Sequence, residues 1–169
     1  SAEGMKDDDS DDDLIAQAEV QIKIAGNDYS FDLSDEEIPY DVVFMDESVS
    51  FKLVNKLDQT LNIKVAGPDI YNNTPVEFLA VPNLPFKAEE NLASITFYDP
   101  TEEPLTNDAT KYFIDGTVVV HKLTSSGIEL SYDGQGFPGG SFSNNTEGRF
   151  SVQLQLEYNG FELVDMRNQ

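Results

Sequence analysis

The sequence predicts an all-β fold, and three features of its 169 residues indicate this class. Short stretches of alternating apolar and polar residues recur along the chain, which is the period of a strand with one solvated face. Glycine, proline and asparagine separate these stretches and supply turn chemistry. No segment sustains the helical period of about 3.6 residues. We therefore expect an antiparallel β-sandwich of about 8–10 strands with little helix, Ig-like or jelly-roll-like, with a barrel as the alternative.

The first two predicted strands form a hairpin. Alternation begins at residues 18–24, where alanine, valine and isoleucine occupy every second position. Gly26 and Asn27 then provide a turn, and residues 29–33 resume the alternation. Two alternating segments separated by such a short turn are typical of a β-hairpin.

A second hairpin is predicted at residues 49–53 and 61–65, joined by residues 55–59. Residues 89–93 and 107–112 are each expected to form no more than one short helical turn. Six further strands are expected, at residues 76–81, 94–98, 117–123, 128–132, 150–158 and 161–164.

The charge of the chain is strongly negative, with 32 acidic and 10 basic residues and a formal net charge of −22. Residues 1–13 contain seven acids, six of them aspartate, and one lysine. Like charges at this density keep a segment extended and solvated. We therefore predict a disordered acidic spacer at residues 1–13 and a single β-sandwich domain at residues 14–169, which is long enough to bury one core.

This charge and the absence of cysteine exclude several functions. Phosphate backbones and anionic headgroups are bound by clustered lysine and arginine, so nucleic acid is not an expected partner. Disulfides and cysteine-ligated metal sites require thiols that the chain lacks. No apolar run approaches the ~20 residues of a membrane span, so we expect no direct membrane insertion by this chain. Basic protein surfaces and divalent cations remain compatible with the charge.

The densest acidic block after the spacer spans residues 27–51, which contain eight acids and no basic residue. Calcium binds six to eight oxygen ligands, and Asp32, Asp35 and Glu36 are the candidate ligands here. The spacing of an EF-hand loop is absent. The alternative interpretation is a solvated acidic loop, in which case no cofactor is expected.

The most distinctive predicted loop is glycine-rich and spans residues 132–140. It lacks the lysine and the spacing of a phosphate-binding loop. Tyr132, Asp133 and Phe137 are candidate ligand contacts, because glycines permit an open loop with an exposed aromatic tip. The alternative is a long hairpin connection whose Phe137 packs onto the core.

No residue is assigned a catalytic role. His121 is the only histidine and follows three valines, a setting typical of a structural or cross-strand histidine. A nucleophile–base pair cannot be identified from spacing alone. Paired carboxylates for glycan hydrolysis are always available in a chain with 32 acids, so their presence carries no weight.

The second half of the chain resembles small β-rich secreted proteins and lipoproteins of Bacteroidota-type bacteria. The resemblance rests on residues 116–120, 140–143 and 146–150, and on the Asp-rich segment 6–13, which is similar to the spacer that follows a lipidated cysteine in such proteins. It implies an exported, surface-tethered domain and carries over no catalytic residue.

The sequence therefore predicts a non-enzymatic, exported binding or structural domain of a bacterium, secreted or anchored at the outer membrane or cell surface. Its ligand would be a protein or a glycan. Two alternatives stay open: a calcium-dependent adhesion or structural domain, and a carboxylate-based glycan-active enzyme.

Overall fold

The computed structural model describes residues 15–34, 41–141 and 148–168 of the chain. These residues form eleven strands and two short 3₁₀ turns, Asn107–Ala109 and Gly139–Ser141. Strands account for 60% of the structure and helical turns for 4%, so the all-β prediction is confirmed. The strands are β1 Gln17–Ile24, β2 Asn27–Ser34, β3 Val42–Met45, β4 Ser48–Val54, β5 Thr60–Ala66, β6 Val76–Ala80, β7 Leu92–Tyr98, β8 Thr110–Leu123, β9 Gly127–Pro138, β10 Phe150–Asn159 and β11 Leu163–Asp165.

All eleven strands belong to one sheet, in the order β11-β3-β4-β5-β7-β6-β8-β9-β10-β1-β2. The pairs are antiparallel except for β11 with β3 and β6 with β7, which are parallel. The sheet curls into a half-barrel. The barrel alternative therefore fits, whereas an Ig-like or jelly-roll-like sandwich is not confirmed.

The long strand β8 is where the sheet turns back on itself. Its first residues pair with β7, as in Thr96 opposite Tyr112, and its later residues pair with β6, as in Val76 opposite Val120. On its other side β8 pairs with β9, where the register shifts between Glu129 and Leu130 and again after Asp133. Such irregularities bend a strand and increase its twist, which closes the sheet around a common interior.

One core fills the inside of the curl. Alternate residues of every long strand point inward, as in β1, where every second side chain is buried. The largest fully buried side chains are Tyr158, Phe31, Phe78, Phe97, Phe113, Ile22, Leu53, Leu61, Ile70, Ile95, Ile128 and Leu130. Because inward positions are apolar, outward positions are free to carry the polar residues that define the surface.

The curl brings the edge strand β2 over β7. The rings of Tyr29 and Phe97 lie 4.9 Å apart between centroids, and those of Phe31 and Phe97 lie 6.3 Å apart. Asn55 Nδ2, at the end of β4, donates a hydrogen bond to the Ser30 carbonyl oxygen at 3.2 Å. These contacts tie the edge strand β2 to β7 and to the end of β4 around one core.

The predicted hairpins are confirmed, the loop predicted at residues 132–140 is wrong, and two further regions differ in detail from the expectation. Residues 134–140 are not a loop, because β9 runs to Pro138. Residues 89–93 form no helical turn, since Leu92 already begins β7. Strand β3 was not expected. The segment 107–112 contains the short turn Asn107–Ala109 and then enters β8.

The glycines of β9 explain why a strand looked like a loop. A Cβ on Gly134 would lie 2.2 Å from the Tyr132 hydroxyl oxygen, and one on Gly116 of β8 would lie 2.3 Å from the Asp133 carbonyl oxygen. Only glycine leaves room for the Tyr132 ring to lie across the two strands. Here the glycines serve close packing within a sheet.

Candidate functional site

The candidate site is the outer face of four neighbouring strands, β9, β10, β1 and β2, which we call the polar outer face. Their inward residues fill the core, and their outward residues are glutamate, aspartate, glutamine, serine and one lysine. The cross-strand registers arrange these outward side chains in three successive rows.

The first row consists of four carboxylates, and we call it the carboxylate row. Glu129 of β9 lies opposite Glu157 of β10, Glu157 opposite Glu19 of β1, and Glu19 opposite Asp32 of β2. Directly opposed residues in antiparallel strands have Cβ atoms about 4.5–5.5 Å apart. Four negative charges therefore stand side by side across the face, with Lys122 of β8 opposite Glu129 at one end.

The second row is uncharged. Its members are the hydroxyl and amide side chains of Ser131, Gln155, Gln21 and Ser30. His121 of β8 joins this row from the side, since its Nε2 lies 2.8 Å from the Ser131 Oγ. The histidine is exposed and makes the cross-strand contact expected of it.

The third row is mixed in charge. It runs from Asp133 through Gln153 and Lys23 to Asp28. Lys23 Nζ lies 3.7 Å from a carboxylate oxygen of Asp28. The face thus changes from a purely anionic row to a largely balanced one.

Two adjoining depressions run over these rows. One, of about 570 Å³, is lined by Gln21, Gln155 and the third row. The other, of about 390 Å³, is lined by the same two glutamines, His121 and the carboxylate row. Because the glutamines border both, the depressions form one shallow trough with carboxylates along one side.

Within the described residues, the carboxylate row has Lys122 opposite Glu129 at one end but is not neutralised by ion pairs. Among the described residues, no basic side chain forms an ion pair with any of its four members. Like charges directly opposite one another in a sheet are destabilising. The row therefore reduces the stability of the fold unless a cation from outside compensates it.

The candidate calcium ligands are placed only in part. Asp32 ends the carboxylate row on the edge strand β2, and its side chain is exposed. Asp35 and Glu36 lie outside the described residues. Within residues 15–34, 41–141 and 148–168, no group of three or more histidine, aspartate or glutamate side chains is arranged to hold a metal ion.

The candidate ligand contacts of residues 132–140 are separated by strand alternation. Asp133 points outward into the third row, whereas Tyr132 is buried. The Tyr132 hydroxyl donates to the Ile114 carbonyl oxygen and accepts from the Gln135 backbone N–H at 3.1 Å. Burial raises the pKa of Tyr132 to about 12.

Phe137 is half-buried near the end of β9. Its ring stacks on that of Tyr112 of β8, with centroids 5.5 Å apart and planes 14° from parallel. It therefore packs against a neighbouring strand instead of standing at the tip of a loop.

The sequence missed Glu19, Glu129 and Glu157 as a group. The predicted hairpin placed β1 beside β2, but a turn that begins at Gly26 does not give the register in which Glu19 lies opposite Asp32; that register follows from the turn at Ala25 and Gly26. The other two members come from strands more than a hundred residues away from Glu19.

Comparison with protein-family models, with curated proteins and with solved structures found no match for this chain. Within the described residues, no helix is long and apolar enough to cross a membrane.

Proposed function

We propose that this protein is a non-enzymatic binding domain whose polar outer face binds a cationic ligand, namely a basic segment of another protein. The observation that supports the proposal most strongly is the carboxylate row. Four carboxylates in register destabilise the sheet, and lysine or arginine side chains laid across them would remove that repulsion. Binding of positive charge to the row would therefore be energetically favourable.

The shape of the face agrees with an extended ligand. The trough crosses four strands, and the carboxylates line one side while the side chains of Gln21 and Gln155 lie along its middle. Carboxylates would accept charge-assisted hydrogen bonds from the ligand, and amides would bind its backbone polar groups.

A binding role is favoured over hydrolysis. Retaining glycosidases use a pair of carboxylates that lie close together, and the carboxylate row supplies neighbouring carboxylates. However, a carboxyl group that acts as a general acid is kept protonated by apolar surroundings, and Glu19, Asp32 and Glu157 are exposed to solvent. The exported, surface-tethered location is part of this proposal and rests on the sequence alone.

The test measures binding of a fluorescent oligolysine peptide, with an oligoglutamate peptide of equal length as the negative probe. The double variant Glu19→Gln/Glu157→Gln should weaken oligolysine binding by about 3- to 10-fold, because each exposed ion pair contributes about 0.2–1 kcal/mol. Added salt should reduce the affinity of the wild type more steeply than that of this variant.

The matched control is Glu77→Gln/Glu103→Gln, which removes two exposed carboxylates elsewhere and changes the net charge equally. Equal weakening by both double variants would mean that only the overall charge attracts the peptide, and would refute the proposal. Release of product from an oligosaccharide that depends on Glu19 or Glu157 would instead support the enzyme.

A further inference from the structure

A second surface, distant in strand order from the polar outer face, contains a fully exposed aromatic side chain. Phe86 lies in the connection between β6 and β7, and its relative exposure is 109%. Pro82 and Pro85 restrict the backbone on either side of Leu84 in the same connection. A restricted loop that holds a phenylalanine entirely in water is typical of an interface anchor, since aromatic side chains dominate such contacts.

Phe86 stands at one side of a groove of about 410 Å³ that it helps to line and that has a partly apolar floor. Met45 at the end of β3 and Met166 after β11 line it and are 45% and 44% exposed. Methionine side chains are unbranched and polarizable, so they adapt to an inserted aromatic ring. Phe86 and this groove together form what we call the association patch.

The groove wall formed by Met166 is firmly held. The Met166 backbone N–H donates to the Phe44 carbonyl oxygen at 2.7 Å, which extends the pairing of β11 with β3. The Arg167 guanidinium lies 5.2 Å from the centre of the Phe44 ring and 4.8 Å from that of Tyr71. Its hydrogen bonds to Asp165 lower the pKa of that carboxyl to about 2. This wall of the groove is therefore held in place by backbone pairing and by the contacts of Arg167.

The charges of the association patch favour a second copy of this chain. Asp46, Glu47, Lys64 and Lys87 line the groove, so two acids balance two lysines in a protein of net charge −22. Two copies can approach here without the repulsion that acts elsewhere on their surfaces. Among the described residues neither lysine forms an ion pair, so both ammonium groups are available to a partner.

We propose that two copies of this protein associate about a twofold axis through the association patch, with Phe86 of each copy seated in the Met45–Met166 groove of the other. A twofold contact uses the same patch on both copies, and this patch contains both a projecting ring and a groove to receive it. Lys87, next to the projecting ring, then meets Glu47 beside the opposite groove. The patch is small, so the dimer is weak and concentration-dependent.

The test is sedimentation velocity of the full chain over a concentration series that reaches about 1 mM, the range of a weak association. The weight-average mass should rise toward that of a dimer. Phe86→Ser should weaken association by about 10-fold or more, as loss of an interface anchor does. The control Leu57→Ser, which removes a 60% exposed leucine elsewhere, should leave association unchanged. Circular dichroism should show that both variants keep the native fold.

A charge exchange tests the geometry. Lys87→Glu and Glu47→Lys should each weaken the dimer, and the double variant should restore it, because the pair is then rebuilt with its signs reversed. A wild-type protein that stays monomeric over the whole series would overturn the proposal. Equal effects of Phe86→Ser and Leu57→Ser, or no restoration in the double variant, would do the same. Phe86-dependent binding to phosphatidylcholine vesicles by a monomer would assign the patch to a lipid surface instead.

Discussion

The sheet has two ends, by which we mean its first five strands in spatial order, β11-β3-β4-β5-β7, and its last four, β9-β10-β1-β2. They share one core but have very different outer faces. The outward residues of β4, β5 and β7 include Lys52 and Lys64 and no acid, a net charge of +2. The polar outer face carries six acids and one lysine, a net charge of −5: Glu19, Asp28, Asp32, Glu129, Asp133, Glu157 and Lys23.

This difference is not required by the fold. Both ends obey the same inward alternation of apolar residues, and outward positions tolerate any residue that suits a pleated, half-solvated surface. The fold therefore does not account for the concentration of like charge on one outer face. It shows that the acidity of this protein has a spatial order that composition alone does not reveal.

The largest expected effect tests whether the two ends really form one unit. Phe97 of β7 packs against Tyr29 and Phe31 of β2, where the ends meet. Phe97→Ala should reduce the free energy of unfolding by about 3–5 kcal/mol, because it leaves a cavity in a shared core. Urea unfolding should remain a single transition. The control Phe86→Ala should change stability by less than about 0.5 kcal/mol, since that ring is fully exposed. Two separate transitions would show that the faces belong to independent halves.

A smaller effect is expected at the polar contacts that join the ends. Asp99 is buried and accepts hydrogen bonds from the Thr101 backbone N–H at 2.9 Å and from its hydroxyl at 2.6 Å. Burial opposes ionisation of Asp99, but bonds from Thr101 and Gln59 outweigh it and lower the pKa of this carboxyl below its ordinary value. Asn55 connects Gln59 to Ser30 of β2 through its own side-chain amide.

Asp99→Asn should therefore reduce the free energy of unfolding at neutral pH by about 1–3 kcal/mol. Because the folded-state pKa is depressed, the stabilisation is present above about pH 4 and is lost as the pH falls through the folded-state pKa. The difference between wild type and variant in thermal melts should shrink accordingly in acid. Asp58→Asn is the control, because it removes one carboxylate charge from an exposed turn. If the stability difference between wild type and Asp99→Asn stayed constant across this pH range, the lowered pKa of Asp99 would be contradicted.

The smallest effect is expected in the carboxylate row, where a substitution should increase the free energy of unfolding instead of reducing it. Glu157 has a carboxylate directly opposite on both neighbouring strands, so Glu157→Gln should raise the free energy of unfolding by about 0.2–1 kcal/mol. The gain should diminish in high salt. Glu77→Gln is the control, because Glu77 faces Val119 across its antiparallel pair. If both substitutions give the same change, the row imposes no special repulsion.

The sequence predicted the class of the fold and many of its strands, because alternation is a local signal. The two strands of the β1–β2 hairpin were predictable, but its turn was not, because Ala25 and Gly26 form it with positive φ values of 51° and 87° whereas the sequence indicated a turn that begins at Gly26. The curl was not predictable, because it depends on β8 pairing with three other strands. The extent of β9 was missed because glycine usually indicates a turn. The Tyr132 ring, whose position requires glycine at residue 134, is seen only in the folded structure.

The candidate site was less predictable than the fold. Asp32 and Asp133 were named as candidate residues, and both point outward on the polar outer face, although in different rows. Their relation to Glu129 and Glu157 depends on long-range register, which no local pattern specifies. Asp35 and Glu36 lie outside the described residues, so the calcium hypothesis remains a prediction.

The pairing of β1 with β10 sets the order in which this chain can acquire structure. Val20 lies opposite Leu156, so the first hairpin has no sheet to join until nearly all of the chain has left the ribosome. Closing so long a loop costs entropy before any contact compensates for it, and folding rates fall as contacts become more distant in sequence. The apolar side of β1 and β2 is therefore exposed for most of synthesis. During that interval the dense negative charge of the chain opposes its aggregation, because like-charged chains repel one another.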